Sequence, residues 1–252
     1  MANSIILDSI LAEIAQGHKL YWVLLDPDDF SFDEAATIAQ KAQECGVNGL
    51  LIGGSLLHSN HFDQFVAAVK AAVTIPVILF PGDSSQVASS ADAILFTSLI
   101  SGRNPDLLIG EQVKGALKVK MSGIEPLPTG YMLIESGRPT SVEFMSNTTP
   151  IPRNKSGIAA AHALAGQYLG MKLIYLEAGS GALHPVPQDI ISSVKTTIEI
   201  PLIVGGGIRD EEALTQALSA GADIIVTGNM LRQKEGAATM QKFAKIIQES
   251  SL

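Results

Sequence analysis

Glu177 is the residue in this sequence best placed to move a proton. It ends an apolar run, Leu173, Ile174, Tyr175 and Leu176, and is followed at once by Ala178, Gly179, Ser180 and Gly181. A β-rich run that ends in an acid and breaks into small residues reads as a buried strand. Such a strand delivers a carboxylate and a pliable backbone to one face of the fold. Tyr175, two residues earlier, shares that face by strand alternation and could give a second hydrogen bond to the same ligand. A carboxylate is rarely buried without a partner, so an ion pair with a lysine or arginine is the plain alternative. The chemical reading is that Glu177 orients or deprotonates a substrate hydroxyl.

Two further apolar runs break in the same way. Leu202, Ile203 and Val204 lead into Gly205, Gly206 and Gly207, and Ile224, Ile225, Val226 and Thr227 lead into Gly228 and Asn229. Glycines let successive backbone N–H groups turn toward an anion and form a nest for phosphate oxygens. Each cluster alone reads first as an ordinary strand-to-helix turn. Three in succession, at the ends of the last three strands, match the phosphate site of many (β/α)8 barrels. At the other end of the chain, Asp26, Asp28 and Asp29 follow the first apolar run, and Gly53, Gly54 and Ser55 follow the second. The aspartate turn can be a capped helix start, or a Mg²⁺ site shared by Asp26 and Ser55 across adjacent strands, since a hard cation takes carboxylate and hydroxyl oxygens. Arg103, Arg153 and Lys155 fall in loops at the same face and are candidate cations for a diphosphate. His58, His61, His162 and His184 show no zinc-ligand spacing.

The elements that would carry these residues alternate. Strands are expected at Tyr21 to Leu25, Gly49 to Ile52, Pro76 to Phe80, Ala93 to Phe96, Tyr131 to Ile134, Leu173 to Leu176, Leu202 to Val204 and Ile224 to Thr227. Helices are expected from about Asp33, about Asn60 to Ala72, about Pro105 to Leu117, Gly157 to Leu169, Asp210 to Leu218, a short one near Asn229 to Arg232, and about Glu235 to Gln248. The pattern is that of an α/β (β/α)8 barrel, and 252 residues suit one barrel and one domain over 1–252. Only about a dozen residues separate Phe80 from Ala93, too few for a helix and its two loops. The third helix is therefore expected to be missing or reduced to a turn, leaving a side of the barrel open to an elongated apolar substrate. The polar, proline-bearing stretch from Glu135 to Ser156 reads as a lid or binding loop. Ile6, Ile10 and Ile14 stand at helical spacing and predict an amphipathic helix closing the bottom of the barrel.

A formal net charge of −8 argues against nucleic acid, which asks for a basic surface. Hydrophobic residues at 46% and charged residues at 17% describe a chain with a large core. Cys45 is the one cysteine, so neither a disulfide framework nor a thiolate cluster is expected, and the cytosol is the default compartment. Asp8 and Glu13 interrupt the N-terminal apolar positions and no basic region precedes them, unlike a signal peptide. No apolar run is long enough to span a bilayer, which leaves at most peripheral membrane contact.

On these motifs the chain resembles the geranylgeranylglyceryl phosphate synthases, the family that includes the bacterial heptaprenylglyceryl phosphate synthases. The likeness runs through the Asp26, Pro27, Asp28 turn, Gly53 to Ser55, Ser101 to Pro105, Pro128 to Tyr131, Ser146 to Lys155, Tyr175 to Gly181, Gly205 to Gly207, and Gly228 with Asn229. The resemblance implies Mg²⁺-dependent transfer of a prenyl group, geranylgeranyl foremost, from a prenyl diphosphate to the C3 hydroxyl of sn-glycerol 1-phosphate. It assigns Mg²⁺ to Asp26 and Ser55. Glycerol phosphate falls to Tyr175, Leu176, Glu177, Ala178, Gly179, Ser180, Gly181, Gly206, Gly207, Gly228 and Asn229, and Glu177 and Tyr175 are the catalytic candidates. It further implies a homo-oligomer, a dimer or a hexamer. Two rivals stay open: a sugar-phosphate isomerase on the same barrel, and a non-catalytic phosphate-binding homologue.

Overall fold

The computed structural model describes residues 4–58, 60–228 and 236–251. Eight parallel strands close into a barrel in chain order: β1 Leu20–Leu25, β2 Gly49–Ile52, β3 Val77–Leu79, β4 Ala93–Leu99, β5 Glu125–Leu133, β6 Leu173–Glu177, β7 Leu202–Gly205 and β8 Ile224–Thr227, with β8 pairing back onto β1. Strands buried on both faces read as near-continuous apolar runs. The two faces make two cores. Inward positions such as Trp22, Leu51, Leu95, Leu127, Tyr131 and Tyr175 fill the barrel interior, and outward positions such as Val23, Leu50, Ile174 and Val204 pack against the helices.

The helices are α1 Ile5–Ala15, α2 Phe32–Glu44, α3 Phe62–Ala72, α4 Glu111–Ser122, α5 Ser141–Ser146, α6 Ser156–Tyr168, α7 Gln188–Lys195, α8 Glu211–Ser219 and α9 Gly236–Glu249. α1 plugs the bottom as its apolar spacing predicts: Ile10 is buried in the interior core, with Ile6, Leu7 and Ile14 against it. Glu125, the first residue of β5, accepts the free N–H groups of Ile6 and Leu7 at 2.7 and 3.1 Å and so caps the plug. Ser31 and Glu34 form a reciprocal capping box on α2, and Asp210 accepts from Ala213 N to start α8.

Between β3 and β4 the chain makes only turns, so the helix expected to be missing is missing. A π-helical turn, Asp106–Gly110, leads into α4. Three differences from the sequence expectations have local causes. β5 begins at Glu125 and not at Tyr131, because Pro126 and Pro128 lie before Thr129, where β6 joins; up to there β5 pairs on one side only and tolerates the missing donors. α5 lies inside the long polar stretch, too short to show a period. α7 is eight residues long and follows Pro185, Val186 and Pro187; a proline before the first helical residue conceals a helix whose Ile190, Ile191 and Val194 are buried. The short helix expected near Asn229 to Arg232 lies outside the described residues.

Candidate active site

Strands in a closed parallel barrel all point the same way, so the residues just past their C-terminal ends meet at one mouth. There a cavity of about 300 Å³ runs across the barrel from the β6, β7 and β8 loops to the side without a helix. Glu177, Tyr175, Gly179, Ser180, Gly206, Gly207 and Gly228 line one end. Asp26 and Ser55 line the middle, and Val87, Ile94, Phe96, Gly115 and Val119 make the apolar part of the far end, with Ser84, Glu111 and Gln112 beside them.

Glu177 is buried, and its Oε1 accepts the Gly179 N–H at 2.6 Å. Among the described residues no lysine or arginine pairs with it. Burial therefore pushes its carboxyl above the usual carboxylate range, partly opposed by the Gly179 N–H and the nearby Tyr175 hydroxyl. Tyr175 is fully buried; its hydroxyl approaches the Glu177 carboxylate without a hydrogen bond of normal geometry, and burial raises its pKa well above that of a free phenol. A buried hydroxyl in that state is available to a ligand.

The glycines are required by contact as well as by conformation. A Cβ on Gly206, whose φ is +79°, would lie 2.3 Å from Glu177 Oε1 and 2.6 Å from the Gly179 nitrogen. One on Gly205 would lie 2.5 Å from the Tyr175 hydroxyl. The β6 and β7 loops thus interlock, with the backbone N–H groups of Ala178 and Gly179 beside Gly206. Arg209 donates to the Ala182 carbonyl and itself lines the cavity, placing a cation beside this cradle. Arg138 Nε holds the Gly181 carbonyl at 2.8 Å.

Not every residue of the Tyr175 to Gly181 motif reaches the cavity with its side chain. Leu176 and Ala178 alternate outward and belong to the core between strands and helices, and neither they nor Gly181 line the cavity. Asn229 lies outside the described residues.

At the middle, Gly54 packs against the Asp26 carboxylate, a Cβ there coming within 3.1 Å of both oxygens. Asp26 Oδ1 accepts from Asp28 N at 3.1 Å, while Asp28 Oδ2 accepts from His58 N at 2.8 Å and ties the β1 loop to the β2 loop. Of the carboxylates at this cavity, which also include Asp29, Asp83 and Glu111, Asp26 with the Ser55 hydroxyl suits a hard divalent cation that keeps water and substrate oxygens as its other ligands. Among the described residues no group of three or more His, Cys, Asp or Glu side chains could hold a metal by itself.

The loop cations expected to meet a diphosphate are elsewhere. Arg103 lines a separate polar cavity between Ser101–Pro105 and Asn147–Thr149, Arg153 donates to the Glu135 carbonyl, and neither they nor Lys155 line the main cavity. The sequence reading overlooked Arg209, Phe80, Tyr131 and Gln112, all at the cavity wall. Tyr131 opens an expected strand, and its inward place follows from its register with Tyr175 on β6.

Comparison with known proteins places the chain in a family. The PcrB family matches residues 13–248. A geranylgeranylglyceryl phosphate synthase of Thermococcus kodakarensis is 47% identical over 96% of this chain and 94% of its own, and one of Chitinophaga pinensis is 48% identical over 91% of each. The synthase structure from Thermoplasma acidophilum, solved with its substrate sn-glycerol-1-phosphate, superimposes with a TM-score of 0.92 at 35% identity, covering 97% of this chain and 98% of that one. A thiamine phosphate pyrophosphorylase from Pyrococcus furiosus, at 11% identity and a TM-score of 0.60, shares the fold alone. With the match covering nearly the whole chain and the relatives close to half identical, this chain belongs to the PcrB family.

Proposed function

We propose that the chain is a geranylgeranylglyceryl phosphate synthase, which transfers a prenyl group from a prenyl diphosphate to the C3 hydroxyl of sn-glycerol 1-phosphate, giving an ether and pyrophosphate. One observation carries the reading: a single cavity joins a glycine cradle, holding a buried carboxylate that no cation among the described residues pairs, to a groove where a barrel helix is absent. A sugar-phosphate isomerase would use the cradle but has no need of the groove.

In this reading the backbone N–H groups of Gly206 and Gly207, with Arg209 beside them, bind the phosphate of glycerol phosphate, and Gly228 closes the cradle. Glu177 Oε1 is held by Gly179, and its other oxygen accepts the proton of the C3 hydroxyl. The raised pKa of the carboxyl suits it to that work, since a base acts best with a pKa near the working pH. Tyr175 donates a hydrogen bond to the bound substrate. Asp26 and Ser55 would hold Mg²⁺, which when bound neutralises the diphosphate leaving group. The groove walled by Val87, Ile94, Phe96 and Val119 takes the isoprenoid chain and excludes water from the reacting carbon.

The protein acts as one domain, in the cytoplasm, as a homo-oligomer. The oligomer is supported by an exposed stripe, at helical spacing, of Ile109 on the π-helical turn and Val113, Leu117 and Met121 on α4. Among the described residues no helix is long and apolar enough to cross a membrane. The test of the activity is incubation with Mg²⁺, prenyl diphosphates of increasing length, and either sn-glycerol 1-phosphate or its mirror-image 3-phosphate, read by mass spectrometry. Ether product from the 1-phosphate is expected. No product from either, with folded protein and every donor, would overturn the assignment.

A further inference from the structure

Phe80, Tyr131 and Tyr175 meet at the centre of the cavity. Phe80 and Tyr175 lie nearly parallel, 24° between planes and 5.2 Å between centroids. Tyr131 stands almost perpendicular to both, 75° and 5.6 Å from Phe80, 85° and 5.4 Å from Tyr175. All three line the cavity. A stacked pair with the Tyr131 ring set on edge against it forms a corner with ring faces in two directions.

The position of this corner bears on the reaction. Tyr131 and Tyr175 are register partners on β5 and β6, and Glu177 follows Tyr175 on the same inward face, so the corner adjoins the proposed base. On the other side the cavity wall continues to Asp26 and, away from it, to Val87 and Ile94. An allylic diphosphate with its head toward Asp26 and its tail in the groove would bring its first carbons to the corner.

Packing alone gives a weaker account of the three rings. Two residues earlier on β3 and β6 the interior holds Ile78 and Leu173, and four earlier on β5 it holds Leu127. The interior positions beneath Phe80 and Tyr175 are therefore aliphatic. Tyr175 buries a hydroxyl that makes no hydrogen bond of normal geometry, which is costly if its only role is to occupy volume. Burial also keeps the Tyr131 hydroxyl un-ionised, so the ring is a neutral phenol.

The chemistry has a use for neutral rings. In the transfer, the C1–O bond of the prenyl diphosphate breaks with its electron pair leaving on the diphosphate oxygen. C1 bonds to the glycerol C3 oxygen, whose proton goes to Glu177. As the first bond loosens, positive charge spreads over C1 to C3 of the prenyl group in a site closed to water. Ring faces attract a cation through their quadrupole, most strongly where it is desolvated. Resting on the prenyl transfer proposed above, we infer that Tyr131 and Phe80, with the Tyr175 ring, are catalytic residues whose faces stabilise the allylic positive charge.

Single-turnover rates of prenyl transfer test this, with Tyr131 replaced by Phe and then by phenylalanines carrying one, two and three ring fluorines. Fluorine withdraws density from the ring face with little change in size. The Tyr131→Phe protein is expected to stay within about threefold of the parent, since the hydroxyl is not the active part. The logarithm of the rate is expected to fall steadily with each fluorine, reaching about tenfold or more at three, while the KM for glycerol phosphate holds. Phe80→Leu should slow turnover in the same way. A rate flat across the fluorine series overturns the inference and leaves the rings as packing, even if Tyr131→Leu fails to fold. Absence of prenyl transfer by the unmodified protein is a different result, and overturns the proposed function itself.

Discussion

Two buried carboxylates sit at opposite ends of the barrel. At the bottom, Asp223 is met by Lys19 at 3.2 Å, Lys195 at 2.5 Å and the Leu202 N–H at 2.9 Å. At the mouth, Glu177 has the Gly179 N–H and a nearby phenol, and no cation among the described residues. Both are acids next to strand ends, yet one is neutralised and the other is held in a state that burial disfavours. A buried charge without a counter-ion costs stability, so where it persists its use lies elsewhere. The bottom of this barrel is built to hold together, and the mouth to react.

Removing each acid should separate the two uses. Glu177→Gln is expected to lower kcat by about 10²- to 10⁴-fold, the span of general-base catalysis, with only a few-fold change in the KM for glycerol phosphate. Steady-state kinetics at saturating prenyl donor read this, and near-normal turnover would remove the base from the scheme. Gly206→Ala attacks the cradle instead. Its Cβ would overlap Glu177 and the Gly179 nitrogen in a left-handed conformation, and glycerol phosphate affinity should fall about tenfold or more, measured by calorimetric titration.

Asp223→Ala is the counterpart at the bottom. It strips the acceptor from the buried Leu202 N–H and from two lysines, and should cost about 2–3 kcal/mol, roughly 5–10 °C in Tm, with kcat/KM of the folded protein unchanged. A variant with normal Tm and low activity would erase the contrast between the two ends. Smaller again is the effect of narrowing the groove. Gly115 lines the cavity, and a Cβ there would make ordinary contact with Ser84. Gly115→Phe should raise the KM for the longest prenyl donors while sparing shorter ones, as a donor-length series would show.

The two halves of the mouth were legible for different reasons. Glu177 and the glycine loops show in the sequence because the chemistry there depends on residue type: nothing but glycine fits where Gly206 meets Glu177. The open side shows only as a short interval between Phe80 and Ala93, an absence that predicts a gap without naming its walls. Val119 and Gly115 come from α4, a helix whose cavity-facing side is too mixed to read from its pattern. Arg209 could not be told from a surface cation until the β7 turn folded back to Ala182. Leu176 and Ala178 show the limit of motif reading, since a contiguous motif on a strand alternates between cavity and outer core. Tyr131 was assigned to a strand, but its inward face matters only once β6 sets Tyr175 beside it.

The measurement that bears most directly on the poised carboxylate is a paired pH profile of kcat/KM and of Tm on the parent and Glu177→Gln proteins. The folded-state pKa of Glu177 lies above its unfolded value, so the protonated acid is favoured by folding. Its contribution to stability is full below the unfolded pKa and is lost as pH rises through the folded one. The base works only when deprotonated. Activity of the parent is therefore predicted to rise over the same pH interval in which its Tm falls relative to Glu177→Gln, with the variant more stable above that interval and no more stable below it. An acid limb absent from the activity profile, or a variant no more stable than the parent at high pH, would contradict the account.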